Sequence, residues 1–269
     1  MTMDTKLKGS FYTVSEEIGN AVTHGMGALL AIVGTIVMLV HSAGDPLKMT
    51  ASAIYGASMV LLFSMSSLYH SVVNERAKKV LRVFDHSTIF LLIAGTYTPY
   101  TLIALNGPVG WTIFGVVWGT ALFGIILNFI SVEKFKKVSM ICYLASGWCV
   151  VFAIVPLVRS MAWPGILLLV LGGIFYTAGI PFYRNKSVRY FHMTWHFFVL
   201  AGAIAQFFSI LFYVLHSSYT KRHRGVCMHT PRCLLFQRHF SVTIVTPVSP
   251  SPYTPSRKLF TDGWVRRCC

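Results

Sequence analysis

Seven apolar stretches decide most of what this chain can become, each near the ~20 residues a helix needs to cross a bilayer. They cover residues 18–40, 51–72, 84–105, 109–130, 138–158, 163–183 and 192–215. The connections between them are short, which predicts one all-α, polytopic bundle of seven transmembrane helices with no soluble domain inserted. The composition agrees. Of 269 residues, 55% are hydrophobic and only 12% charged, about half of the ~25% charged residues that soluble chains carry. That leaves too little polar surface to coat a water-soluble particle, so cytosolic enzymes, disordered regulators and disulfide-stapled secreted modules are excluded. The chain divides into an N-terminal segment 1–17, a helical body 18–216 and a tail 217–269.

Loop charge sets the expected orientation. The even-numbered loops carry Arg76, Lys78, Lys79, Arg82, Lys134, Lys136, Lys137, Arg184, Lys186 and Arg189, whereas the odd-numbered loops carry Lys48 and Arg159. Ten basic residues against two place the even loops and the N-terminus in the cytoplasm. The expected location is therefore the plasma membrane, a bacterial inner membrane, crossed several times. No cleavable leader is expected, because the first apolar run follows Glu16 and Glu17 and continues to spanning length. The net charge of +15 reads as topological charge, so the expected partner is membrane lipid and not nucleic acid.

The tail departs from this pattern. Nine of the 23 basic residues and four of the six cysteines lie beyond residue 220, with prolines at 247–255 and no spanning run. Its composition suits a disordered, frameshift-like extension. Cys227, His229 and Cys233 match no zinc-module spacing, and the terminal Cys268-Cys269 has the form of a lipidation site.

Ionisable residues inside spans are costly and each needs a reason. Here they gather. The first span opens with Glu17, Asn20 and His24, the second closes with Ser66 and His70, the third opens with Asp85 and His86, and the seventh opens with His192 and His196. Under the predicted topology all of them fall in the cytoplasmic leaflet at similar depth. His192 and His196 stand four apart, so both imidazoles share one helix face. Such a pair either holds a metal ion or supplies interfacial polarity. A third ligand at the depth of His70 would complete an open zinc site, with a coordination position left for water that Asp85 would orient or deprotonate.

These motifs in this order resemble the haemolysin III family, the bacterial branch of the progestin and adipoQ receptor superfamily. The matching pieces are Glu17-x2-Asn20-x3-His24, Ser66-x3-His70, Asp85 followed by Gly95-Thr-Tyr-Thr-Pro99, and His192-x3-His196, and the likeness covers roughly residues 10–218. It implies seven helices around a zinc ion near the cytoplasmic face, held by His70, His192 and His196. Asp85 would hold the water, Ser66 would sit beside it, and Glu17, Asn20 and His24 would close the site from the first span.

Three functions compete at this point. One is a zinc-dependent hydrolase of lipid amides or esters, with Asp85 as base and Ser66 binding the oxyanion. Another is a membrane-perturbing or pore-forming cytolysin, as the family name implies. A third is a zinc-stabilised sensor of the bilayer without turnover. The remaining features have plain readings. Gly115 and Gly119 are spaced for close helix packing, Asn128 and Gln206 are placed for hydrogen bonds between helices or for lining the site, and Cys142 and Cys149 share one helix face. Trp111, Trp163 and Tyr183 read as interfacial anchors, and Asn185-Lys186-Ser187 as an accidental glycosylation sequence.

Overall fold

A computed structural model describes residues 12–216; the expectations for the tail, its cysteines and its C-terminal pair lie outside the described residues. The helices are α1 (Val14–His41), α2 (Pro46–Ser71), α3 (Glu75–Pro99), α4 (Pro108–Gly147), α5 (Ile154–Ser160), α6 (Trp163–Arg184) and α7 (Phe191–Ser209). No strand occurs among the described residues. Among the described residues, six helical runs are long and apolar enough to cross a membrane.

The helix starts follow from local chemistry. Thr13 and Glu16 form a reciprocal capping box on α1, with the Thr13 N–H donating to Glu16 Oε2 at 2.9 Å. Asp45 and Asn74 accept from the first free N–H groups of α2 and α3. α1 buries a stripe of Glu17, Asn20, His24, Gly27, Ala31, Gly34 and Met38. The alternation of three and four keeps these residues on one face, polar at the start and small thereafter. Val22, Met26, Leu29, Val33 and Ile36 stay exposed on the other face, as a lipid-covered surface requires. The small residues let aromatic rings approach, and a Cβ on Gly27 would lie 2.8 Å from the Phe63 ring.

Two breaks interrupt the fourth helical run, one at the expected boundary between two spans and one inside an expected span. The fourth run, Pro108–Ser160, has 53 residues, and a straight helix of that length would measure ~80 Å. It is interrupted at Ser131, whose φ of −171° and ψ of 109° are extended. Ser131 Oγ accepts from the Lys134 N–H at 3.3 Å, so this serine is the N-cap of a second limb. The limbs fold back on each other. Ser139 Oγ donates to Asn128 Oδ1 at 3.1 Å, although eleven residues of straight helix would separate the two by ~16 Å.

The second break divides the run expected over 138–158. α4 ends at Gly147, a 3₁₀ turn occupies Cys149–Ala153, and α5 follows. Tyr97 of α3 satisfies the freed backbone, its hydroxyl donating to Gly147 O at 2.7 Å and accepting from Val150 N–H at 2.9 Å. Cys142 and Cys149 thus lie on either side of a helix end instead of on one helix face. α3 itself ends in a π-helical turn, Tyr100–Leu105, closed by Gly107 at a φ of 142° that side chains rarely adopt.

The glycine expectation is also corrected. Nothing lies within 4 Å of a Cβ built on Gly115 or Gly119, whereas one on Gly124 would collide with the buried Phe90 ring of α3. Gly124→Ala should therefore lower the thermal unfolding temperature in detergent, at an overpacking cost of about 1–3 kcal/mol. Gly115→Ala, with open space around the added methyl, should not lower it.

Candidate metal centre

Three helix ends converge on the histidines. His70 closes α2, His192 and His196 open α7, and α1 passes between them with Glu17, Asn20, Thr23 and His24. The start of α7 is tied to the start of α1. Tyr190, in left-handed backbone at φ 63°, donates its N–H to Glu16 Oε1 at 2.9 Å. The Arg189 guanidinium adds a bond to Ser15 Oγ at 3.0 Å.

One ligand atom from each of His70, His192 and His196 lies within 4.8 Å of the others, close enough to hold a metal ion. His70 Nε2 and His192 Nε2 are 3.3 Å apart. Two nitrogens bound tetrahedrally to one zinc at ~2.0–2.1 Å stand about 3.3–3.4 Å apart. The outer nitrogens of His70 and His196 are held in a matching way, whereas His192 Nδ1 is buried without a partner among the described residues. His70 Nδ1 lies 2.6 Å from Glu17 Oε2, so a carboxylate accepts the Nδ1–H and the Nε2 lone pair turns inward. Thr23 Oγ1 donates to Asn20 O at 2.9 Å and sits 3.1 Å from His196 Nδ1. With its proton spent, that hydroxyl accepts from Nδ1–H and leaves His196 Nε2 bare. His196 Nε2 is buried without a hydrogen-bond partner among the described residues. Buried polar atoms of this kind call for a ligand or an ion, and three neutral imidazoles fit one.

His24 stacks on His196 with ring centroids 3.6 Å apart and planes 10° from parallel. Its two nitrogens and both side-chain polar atoms of Asn20 are buried without partners among the described residues. A cavity of about 150 Å³ opens beside His24, with Ser66 and Asp85 in its wall and Leu62, Leu92 and Val199 making it apolar. Ser66 is buried. The Asp85 carboxylate lies 3.6 Å from His86 Nδ1. A second cavity of about 20 Å³ reaches His192 and shares Asp85, Tyr183 and Trp195 with the first.

Comparison with known proteins identifies the family. A family model described as haemolysin-III related matches residues 12–207. The chain is 42% identical over 215 residues to Hemolysin-3 of Bacillus cereus, covering 79% of this chain and 98% of that protein. It is likewise 42% identical to the Hemolysin-3 homolog of Bacillus subtilis, over 75% of this chain and 96% of that one. The chain belongs to the haemolysin III family. A more distant relative is the human monocyte to macrophage differentiation factor, 28% identical over 76% of this chain and 87% of its own length.

The haemolysin III match spans every residue of the triad and its supports, including several that the sequence did not single out. Lys78, counted above as loop charge, is buried and lies 2.8 Å from Glu17 Oε1. A carboxylate on the buried face of an apolar helix demands a counter-charge, and that requirement was the available signal. Thr23 and Tyr12 gave none; Tyr12 stacks on His192 at 4.8 Å. Tyr183, read above as an interfacial anchor, packs on Trp195 at 4.9 Å and its hydroxyl lies 3.4 Å from His86 Nε2. Gln206 bonds between helices as expected, accepting from Tyr100 OH at 3.0 Å and donating to Leu169 O at 3.1 Å.

Beside the second cavity, the loop between α6 and α7 carries Lys186. Burial, with the cations of Lys136 and Arg82 nearby, pushes its ammonium down to about 8. A lowered pKa means that the neutral, nucleophilic amine is present at lower pH than for an ordinary lysine at about 10.4. Amine acylation of Lys186, followed by peptide mass spectrometry, should therefore have its pH midpoint near 8. Lys136→Ala should shift that midpoint upward.

Proposed function

We propose that this haemolysin III protein is a zinc-dependent hydrolase of lipid amide or ester bonds, working in the cytoplasmic leaflet of a plasma membrane. The observation that carries the reading is the 3.3 Å separation of His70 Nε2 and His192 Nε2, a spacing suited to one tetrahedral zinc. His196 is the third ligand, and Glu17 and Thr23 fix the tautomers of His70 and His196. The topology is seven crossings with the N-terminus inside. The fold-back at Ser131, which makes two limbs of the fourth helical run, supports that count, and the basic even loops support the orientation.

Bound zinc supplies Lewis acidity and makes water more acidic. The chain's own residues supply the rest. The apolar cavity wall of Leu62, Leu92 and Val199 takes the acyl chain and excludes bulk water, leaving the scissile carbonyl beside His24 and Ser66. The Ser66 hydroxyl donates to the carbonyl oxygen as negative charge develops there. Asp85 accepts the proton of the attacking water and returns it to the departing amine or alcohol as the C–N or C–O bond breaks. A carboxylic acid and an amine or alcohol leave.

The name shared by the bacterial relatives supports a second reading, membrane lysis. Against a through-going pore, the buried ionisable side chains Glu16, Glu17, His24, His70, Lys78 and His196 all lie at one end of the bundle. The deciding assay measures zinc content and lipid turnover of the detergent-purified protein across amide and ester classes. Asp85→Asn should keep its zinc and lose roughly 10²–10⁴-fold in rate, while His196→Ala should lose both. Zinc without turnover of any class would favour a sensor. A metal-free parent protein would end the hydrolase reading.

A further inference from the structure

Lys78 occupies an unusual place for a loop-proximal lysine. Asn74 caps α3 by accepting from Arg76 N–H at 3.0 Å and Ala77 N–H at 3.1 Å, which sets Lys78 one turn into the helix on its inner face. The side chain is buried, and its Nζ satisfies three neighbours. It lies 2.8 Å from Glu17 Oε1, donates to Val72 O at 3.3 Å and stands 5.0 Å over the Tyr69 ring. Val72 is the C-cap of α2, two positions after His70. The other Glu17 oxygen, Oε2, is the one 2.6 Å from His70 Nδ1. An unbroken chain Lys78–Glu17–His70 therefore runs from α3 through α1 to α2, and its last atom faces His192.

We propose that Lys78 is a positioning residue of the metal site, acting through Glu17 to hold the His70 ring with Nε2 turned toward the ion. The inference rests on the zinc reading above and deepens it. A buried ion pair is a weak source of stability, because desolvating both groups offsets their attraction. Two apolar side chains of similar volume would fill the same space, so the pair points to a task other than packing. Lys78 engages one carboxylate oxygen and thereby presents the other to His70. Its charge also compensates an anion that has no access to water. A carboxylate fixed in this way sets the tautomer of a ligand histidine and raises its basicity, and loss of such a partner commonly weakens metal binding about 10–100-fold.

Zinc competition against a chromophoric chelator, run on the full chain in detergent, tests this directly. Lys78→Met should bind zinc about 10–100-fold more weakly, and Glu17→Gln should do the same. The double variant should bind no more weakly than the poorer single one, because both substitutions break one chain. Lys78→Arg keeps the charge and should recover part of the loss, and Lys78→Gln carries the comparison if Lys78→Met does not fold. Parent-like zinc affinity in whichever of the two charge-removing variants folds would overturn the inference, as would strictly additive losses in the double variant. Thermal unfolding with excess chelator separates the alternatives further. A Lys78 with a purely structural role would lower that temperature and leave zinc affinity unchanged. A parent protein that binds no zinc would instead overturn the underlying zinc reading.

Discussion

A carboxylate inside an apolar helix bundle has to be compensated, and Glu17 is compensated from two sides at once. Its oxygens lie 2.8 Å from Lys78 Nζ and 2.6 Å from His70 Nδ1. Each neighbour comes from a different helix, so the requirement draws α1, the end of α2 and the start of α3 to one point. Packing alone would not specify this register, since apolar side chains tolerate sliding and exchange. Hydrogen-bonded charges do not, because a slip of one turn would strand a charge away from water at a cost of several kcal/mol or more. The polar end of the bundle is accordingly the part whose geometry is most sharply defined, and the proposed zinc site lies there.

The same rule governs the backbone. Every interruption of a helix in an apolar setting frees N–H and C=O groups that water does not reach. At the end of α4 the Tyr97 hydroxyl takes both roles, donor to Gly147 and acceptor from Val150. At Ser131, beside the basic residues Lys134, Lys136 and Lys137 and open to solvent, the side chain instead caps the limb that follows, and the buried Asn128–Ser139 bond closes the fold-back. The breaks are therefore built features that place Tyr143 and Trp148 along the wall of the large cavity. A straight run there would carry those side chains elsewhere.

How far the sequence could be read follows from which forces are local. The capped, periodic stripe of α1 and the His192/His196 spacing are properties of single helices, and both are legible. The meeting of His70 with that pair was reached by matching depth across spans, which worked because ionisable groups in lipid have few places to go. Lys78 was not legible, because a lysine beside Arg76 and Lys79 looks like any loop cation until a partner on another helix appears. Gly115 and Gly119 misled for the converse reason. Their spacing permits close approach, but the neighbour that uses a glycine on α4 is Phe90, and it meets Gly124. The contacts of Tyr183 with His86 and Trp195 depend on the path of the chain from α6 into α7, which no local pattern gives.

Glu16 and Glu17 condense the design into two adjacent residues. Successive side chains on a helix diverge by about 100°, so neighbouring carboxylates face different partners. Glu16 closes the capping box of α1 and accepts the Tyr190 N–H, which fixes where α7 begins and hence where His192 and His196 stand. Glu17 orients His70 at the end of α2. The first turn of α1 thus holds all three histidines in register although it contributes none of them. A triad assembled from two helices is exposed to every small shift between them, and a third helix bonded to both removes that freedom. In this chain the polar opening of α1 does for the histidines what a rigid loop does in a soluble metal site, using the charges that lipid would otherwise exclude.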